Sequence, residues 1–269
     1  MRLEDLPDFR NPPLNEVVLG VQFKPVASYQ QIRAGEVWAL FRKEFPNVRE
    51  LPPLPPSFET FGPAGLAVGQ VDFQLVAGPT HNRFWFLSQN GEELIQFQQD
   101  RLLHNWRKIG DDATYPRFEA IIENYEQELI TLQNYFLSMS TDHLAITQCE
   151  VSYINHILCS DQPNPPSTSS WLRLLDFGEI EPEDFLINCR WTISTAAGTP
   201  QGRLISEAST AINSKGQRII VLTLTARGAP ATADIPAALQ FLKIGRELIV
   251  KRFARITTDS AHRIWERIK

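Results

Sequence analysis

The chain has 269 residues with 43% hydrophobic content, ample for a large core, so disorder is excluded as its default state. Lysine and arginine number 26 against 31 aspartates and glutamates, which argues against a general binder of nucleic acid or of anionic membrane, since either needs net positive charge facing phosphate. Three cysteines, Cys149, Cys159 and Cys189, cannot all pair within one chain and show no C-x-x-C spacing, so neither a disulfide framework nor a zinc ribbon is indicated and a reducing cytoplasm is the simpler setting.

The first ten residues are charged and broken by proline, and no later run approaches the roughly 18 apolar residues of a membrane span, so a soluble, non-exported protein is expected. Glu16 to Pro25 alternates, with Val17, Leu19, Val21 and Phe23 on one face, and predicts a strand entered from Pro12-Pro13. Tyr29 to Phe45 predicts a helix with Ser28 as N-cap and Ile32, Trp38 and Phe41 on its buried side. Leu51 to Pro56 is a stiff polyproline-like connector. Three strands are expected next, about Ala67 to Ala77, Arg83 to Ser88 and Glu92 to Gln99, the last two joined by the hairpin signal Asn90-Gly91. A long helix follows from about Tyr115 to Met139, its buried stripe formed by Phe118, Ile121, Ile122, Tyr125, Leu129, Leu132 and Phe136.

The second half predicts the same order. Ala145 to Leu158 is a strand, a proline and serine loop leads to a short helix around Trp171 to Asp176, and Phe185 to Ile193 alternates as a strand with one wet face. Arg203 to Ile212 and Gln217 to Arg227 form a hairpin around Asn213-Ser214-Lys215-Gly216, and a long helix runs from about Asp234. The expected fold is α+β: two similar β-α-β-β-β-α halves, residues 1–143 and 144–269, forming one compact unit by structural duplication, with mostly antiparallel sheets each packed against a long helix.

Four stretches carry a family resemblance over nearly the whole chain: Asn11-Pro12-Pro13-Leu14-Asn15-Glu16-Val17-Val18, Gln96 to Arg107 with Tyr115-Pro116, Tyr153-Ile154-Asn155, and the helix around Ile249 to Phe253. Together they resemble a sporadically distributed prokaryotic family of about this length that has no established activity. The resemblance therefore implies no mechanism, and its patchy distribution implies a defence-associated or regulatory setting. Two positions depart from the family pattern. Val151-Ser152 stands where arginine and glycine usually precede Tyr-Ile-Asn, and Arg246 stands near a position where histidine is common.

Catalytic signatures are absent: no Gly-x-Ser-x-Gly elbow, no phosphate-binding Gly-x-x-x-x-Gly-Lys loop, no Gly-x-Gly-x-x-Gly fingerprint and no His-Glu-x-x-His. Gly62, Gly65 and Gly69 predict a turn, and His81, His104, His143, His156 and His262 are scattered, with only Asp142-His143 bringing a carboxylate beside an imidazole. No metal, cofactor or catalytic residue is expected, and an enzyme is the lesser possibility. Candidate binding residues are Arg101, Asn105, Trp106 and Arg107, where an indole offers stacking area and a guanidinium bidentate hydrogen bonds. The competing structural interpretation has Trp106 plugging the core while Arg101 and Arg107 pair with Asp100, Asp111 or Glu119.

A second candidate set is Tyr153, Asn155, Arg190, Trp191 and Arg246, the last interrupting the apolar face Leu239, Leu242, Ile249, Phe253 and Ile256. From Lys243 to Lys269 eight basic residues stand against three acidic ones, a face for an acidic partner or nucleic acid, or else a solvated helix surface. The expected function is a non-enzymatic interaction protein that binds a protein partner. The alternative is a small-ligand or nucleotide sensor with a pocket between the sheet and a long helix.

Overall fold

Val17, Leu19, Val21 and Phe23, brought to one face by the two-residue period of a strand, are all buried in the computed structural model, which describes residues 6–59, 61, 81–110, 113–139, 141, 143–159, 167–178, 180 and 182–269. They belong to β1 (Leu14–Phe23). A 3-10 turn at Gln31–Arg33 leads into α1 (Ala34–Phe41), followed by β2 (Asn47–Leu51), β3 (Arg83–Leu87), β4 (Glu93–Gln98), β5 (Arg101–Arg107) and α2 (Phe118–Leu137). Then come β6 (Ile146–Leu158), β7 (Leu186–Ser194), β8 (Pro200–Ile212), β9 (Arg218–Gly228), α3 (Ile235–Ile256) and α4 (Asp259–Ile264). The class is α+β.

All nine described strands form one antiparallel sheet in the order β2-β3-β4-β5-β1-β6-β9-β8-β7. The strands before and after α2 are joined into one sheet by the pairing of β1 with β6, from Leu14 opposite Asn155 to Phe23 opposite Ile146, with register shifts near both ends. Outward from that seam each side runs first strand, last strand, then the intervening strands in reverse. Among the described residues β2 is an edge strand, paired with β3 alone.

α2 and α3 cover one face. Tyr125 of α2 donates to the Leu102 carbonyl at 2.8 Å, and the apolar stripe from Phe118 to Phe136 joins β1, β5 and β6 in the core. α3 starts where Asp234 accepts a hydrogen bond from the Ala237 backbone at 2.9 Å, an N-cap that satisfies an otherwise orphaned donor.

The opposite face is crossed by the proline-rich connector, whose extended backbone has no hydrogen bonds of its own to make. Side-chain amides supply them. Gln98 accepts from the Leu54 N–H at 2.9 Å and donates to its carbonyl at 3.1 Å, and Gln22 does the same for Ser57 at 3.1 and 2.8 Å. Arg101 donates to the Pro55 carbonyl, and Glu59 at the far end meets Arg203 and Arg227. A polar sheet face thus holds an irregular strand by amides that imitate a β-ladder.

Several sequence expectations need correction. Ser28 does not cap α1, which begins after a 3-10 turn without a side-chain cap. Tyr115 and Pro116 precede α2, which starts at Phe118. The helix expected around Trp171 to Asp176 is replaced by a 3-10 turn at Thr168–Ser170. The strand expected at 67–77 and the turn at Gly62, Gly65 and Gly69 lie outside the described residues, as does Asp142.

Candidate functional site

The Gln96 to Arg107 stretch spans the end of β4 and the whole of β5, adjacent strands in the interior of the sheet. Its polar residues form a ladder across four strands. Arg83 and Trp85 of β3 donate to Gln96 Oε1 at 2.7 and 2.9 Å, Gln96 donates to Asn105 at 2.8 Å, and Asn105 donates to Glu16 at 2.6 Å. Burial raises the Glu16 carboxyl, opposed by the Asn105 hydrogen bond and the Arg107 charge.

Arg101, Asn105 and Trp106 are buried, and each has an internal partner: Arg101 forks onto Asp100 at 3.0 Å and Trp106 lies 5.1 Å from the Tyr115 ring. Arg107, half-buried, donates to the Gly91 carbonyl at 2.7 Å and stands 5.7 Å over Trp85. Asn105, Trp106 and Arg107 also do not share a face, because Trp106 turns to the helices and its neighbours to the opposite side of the sheet.

On the helix side a cavity of about 80 Å³ lies where β1 and β6 meet α2 and α3. Tyr153 and Asn155 reach it from β6, Leu14 from β1, Phe118 from the first turn of α2, and Arg246, Ile249 and Phe253 from α3, while Pro7, Asp8 and Phe9 close one side. Tyr153 and Asn155, two apart on one strand, share a face, and Arg246 and Ile249, three apart on a helix, share a stripe. Asn155 is anchored by donating to the Leu222 carbonyl at 3.1 Å.

The cavity's polar groups come from three elements. The Tyr115 and Tyr153 hydroxyls stand 3.0 Å apart. Two O–H groups make one bond between them, which leaves one proton to donate elsewhere. Burial and the facing Tyr153 push the Tyr115 phenol well up, and burial raises Tyr153 against the pull of Tyr115 and Arg246, so both keep their protons at neutral pH. The Arg246 guanidinium lies 5.4 Å over the Phe118 ring and 3.7 Å from Glu119, with Nε buried and without a hydrogen-bond partner. Arg117 on the rim adopts φ +76° and donates to Asp8 at 2.8 Å. A non-glycine residue held in that region costs about 1–3 kcal/mol and concentrates at ligand clamps.

Of the second candidate set, Tyr153, Asn155 and Arg246 therefore line one cavity. Arg190 and Trp191 do not: adjacent on β7, they point to opposite faces, Arg190 being exposed beside Asn188 and Trp191 lying under the Arg252 guanidinium at 3.9 Å. Basic residues of the C-terminal segment are largely engaged within the molecule, Lys251 with Glu247 and Arg267 with His262.

Sequence reasoning missed Tyr115, Arg117 and Asp8 as lining residues, and the only signal for them was Tyr115-Pro116 before a helix start. It also missed the pair His104 and Glu128, in contact at 2.8 Å. Its signal was present: His104 sits in phase with Leu102 and Trp106, and Glu128 sits between Tyr125 and Leu132 on the buried stripe of α2. His143, by contrast, is exposed. Among the described residues no three His, Cys, Asp or Glu side chains are grouped to hold a metal ion, and no helix is long and apolar enough to cross a membrane. Comparison with protein-family models, with curated proteins and with solved structures finds no match for this chain.

Proposed function

We propose that this protein is a sensor for a small anionic ligand, carboxylate- or phosphate-bearing, taken into the cavity between the central strands and the two long helices. The observation that carries this is Arg246, a guanidinium with a buried, unpartnered Nε beside a paired-tyrosine donor, in a lining whose one carboxylate, Asp8, is already bound to Arg117. Charge-assisted hydrogen bonds from a guanidinium and a phenol are about twice as strong as neutral ones and favour an anion in a partly dry site. Strain at Arg117 on the rim supports the same assignment.

The test is thermal unfolding with inorganic phosphate, nucleoside monophosphates and dicarboxylates, in wild type and Arg246→Met. A ligand at 100 times its Kd stabilises by about 2.7 kcal/mol, roughly 5–10 °C for a domain of this size. A saturable shift that Arg246→Met removes supports the proposal; no shift with any anion, or the same shift in both proteins, sinks it.

A second proposal, protein-partner binding in the prokaryotic defence or regulatory setting that the family resemblance implies, is supported by the outer edge of the sheet. Strand β7 runs nine residues with one edge unpaired among the described residues, and Leu186 on it and Ile212 on β8 are exposed by 78% and 67%. An edge of that length can add a strand from a partner chain. Pull-down from a prokaryotic lysate with wild type and Arg190→Pro, which removes an N–H that faces away from β8 at mid-strand, tests it; recovery of the same partner by both refutes edge pairing. Three free cysteines, two of them buried, suit a reducing cytoplasm.

We also infer that residues 1–143 and 144–269 are duplicated halves. The support is the outward strand order, alike on both sides of the β1–β6 seam, and the long helix that follows the last strand of each side. The cavity then lies at the junction of the halves, a preferred position for ligand sites.

A further inference from the structure

A second cavity, of about 330 Å³, opens between α1, the turn after it, β4, β5 and α2. Its lining carries Glu44, Glu93, Glu128 and His104 with the rings of Phe41 and Phe45, and neither lysine nor arginine. Among the described residues none of the three carboxylates pairs with a lysine or arginine, although oppositely charged partners are normal for acidic groups drawn together in this way.

Glu128 and His104 are both more than nine-tenths buried and meet through Glu128 Oε1 and His104 Nδ1 at 2.8 Å, yet Glu128 Oε2 and His104 Nε2 have no partner. Burial raises the Glu128 carboxyl, with Glu93 and Glu44 adding to the push, while Glu128 in turn raises His104 against the effect of burial. Glu44 and Glu93 line the same cavity with no cationic side chain against them among the described residues. The carboxylates are not grouped closely enough to share one metal ion among the described residues. The complement they call for is a longer cation, with N–H donors spaced along an apolar stem.

We propose that this cavity binds an alkyl diamine, its ammonium groups taken by Glu128 Oε2 and by the Glu93 and Glu44 carboxylates and its methylenes lying against Phe41 and Phe45. Ammonium N–H groups supply the donor that Glu128 Oε2 lacks, and the aromatic rings favour a cation over a neutral chain. The site uses none of the residues of the Arg246 cavity.

Isothermal titration calorimetry of the full chain with putrescine and cadaverine tests the proposal, with 1,4-butanediol and magnesium chloride at matched ionic strength as controls. Saturable one-to-one binding of a diamine is expected, with no heat from the diol. Glu93→Gln, a half-buried site outside the His104–Glu128 contact, is expected to weaken binding about tenfold, the loss of one charge-assisted hydrogen bond. Glu128→Gln is expected to abolish it. Absence of saturable binding at millimolar diamine, unchanged affinity in Glu93→Gln, or equal competition by magnesium overturns it, and the Glu93 variant keeps the test decisive if the Glu128 variant does not fold.

Discussion

Replacing Gly245 by alanine opposes two effects of known size. In a helix interior glycine costs about 1 kcal/mol relative to alanine, so propensity alone makes Gly245→Ala stabilising. A methyl at Gly245, however, stands 2.6 Å from Val151 Cγ1 and 2.9 Å from Ala226 Cβ, both below any ordinary carbon contact. Neither can step aside: Ala226 Cβ is fixed to the backbone of β9, and Val151, on β6, is β-branched and stiff at χ1. Overpacking of this kind costs about 1–3 kcal/mol. With two hard contacts at once the upper part of that range applies, and the net expectation is a loss of about 1–2 kcal/mol, roughly 3–6 °C in Tm for a chain of this size. Gly35, exposed in α1 with nothing within 4 Å of an added methyl, is the control, and Gly35→Ala gains about 0.5 kcal/mol. Urea unfolding at constant slope measures both. In the Val151→Ala background Gly245→Ala should lose most of its penalty, a coupling of about 1 kcal/mol. Stabilisation by Gly245→Ala equal to that by Gly35→Ala would refute the close approach of α3 to the sheet.

Two further outcomes follow from buried polar groups. Burial pulls His104 down, but the charge and hydrogen bond of Glu128 together carry its pKa above the ordinary imidazole value, and burial raises Glu128. Stability from a raised pKa is present below the unfolded value, about 6.5 for histidine and about 4.3 for glutamate, and is lost as pH rises through the folded value. Wild type should therefore lose stability as pH rises above the ordinary glutamate value of about 4.3 and on past the ordinary histidine value of about 6.5, relative to a His104→Leu/Glu128→Leu double variant; a constant difference in urea midpoint, or a gain, contradicts the assignment. Gln98→Leu leaves the Leu54 N–H and carbonyl without their amide partner and should cost about 1–2 kcal/mol while opening residues 52–59 to proteolysis. Unchanged proteolysis there would show that the connector is held by other contacts.

The strands that sequence periodicity found are those with one face on the helices and alternating chemistry, such as β1. β5 was obscured because both of its faces are covered: Leu102, His104 and Trp106 meet the core, while Arg101 and Asn105 lie buried on the connector side. Polar side chains that would normally announce solvent are here enclosed by a segment about fifty residues upstream, a fact no local window contains. β2 was missed for the opposite reason, since a short edge strand with one neighbour among the described residues and exposed side chains has no alternation to read. In the cavity, Arg246 was legible because it breaks an apolar helical stripe, and Tyr153 with Asn155 because they share a strand face. Arg190 and Trp191 could never have joined them together, since adjacent residues of a strand face opposite ways. His104 and Glu128, 24 residues apart, pair only through the docking of α2 on β5.

The two faces of the sheet therefore carry different burdens. On the connector side nearly every conspicuous polar group, Gln22, Gln98, Arg101, Asn105 and Glu16, is spent on backbone or on another side chain. Gln22, Gln98 and Arg101 hold an extended segment that has no ladder of its own, while Asn105 and Glu16 bond to each other, so most of the polar atoms in the most motif-like stretch of the sequence are already engaged. On the helix side an apolar interface needs no polar groups for cohesion, so each one there is a cost that packing alone does not explain. Tyr115, Tyr153 and Arg246 gather at one end of α2, and His104 with Glu128 lies about 15 Å further along it, ten residues at 1.5 Å each. The cavities are opposite in charge and separated by more than the roughly 8 Å over which salt screens exposed charges. Function is best sought where polar atoms remain unpaired in an otherwise apolar layer, and the Arg246 and His104–Glu128 cavities are two such places beneath the long helices.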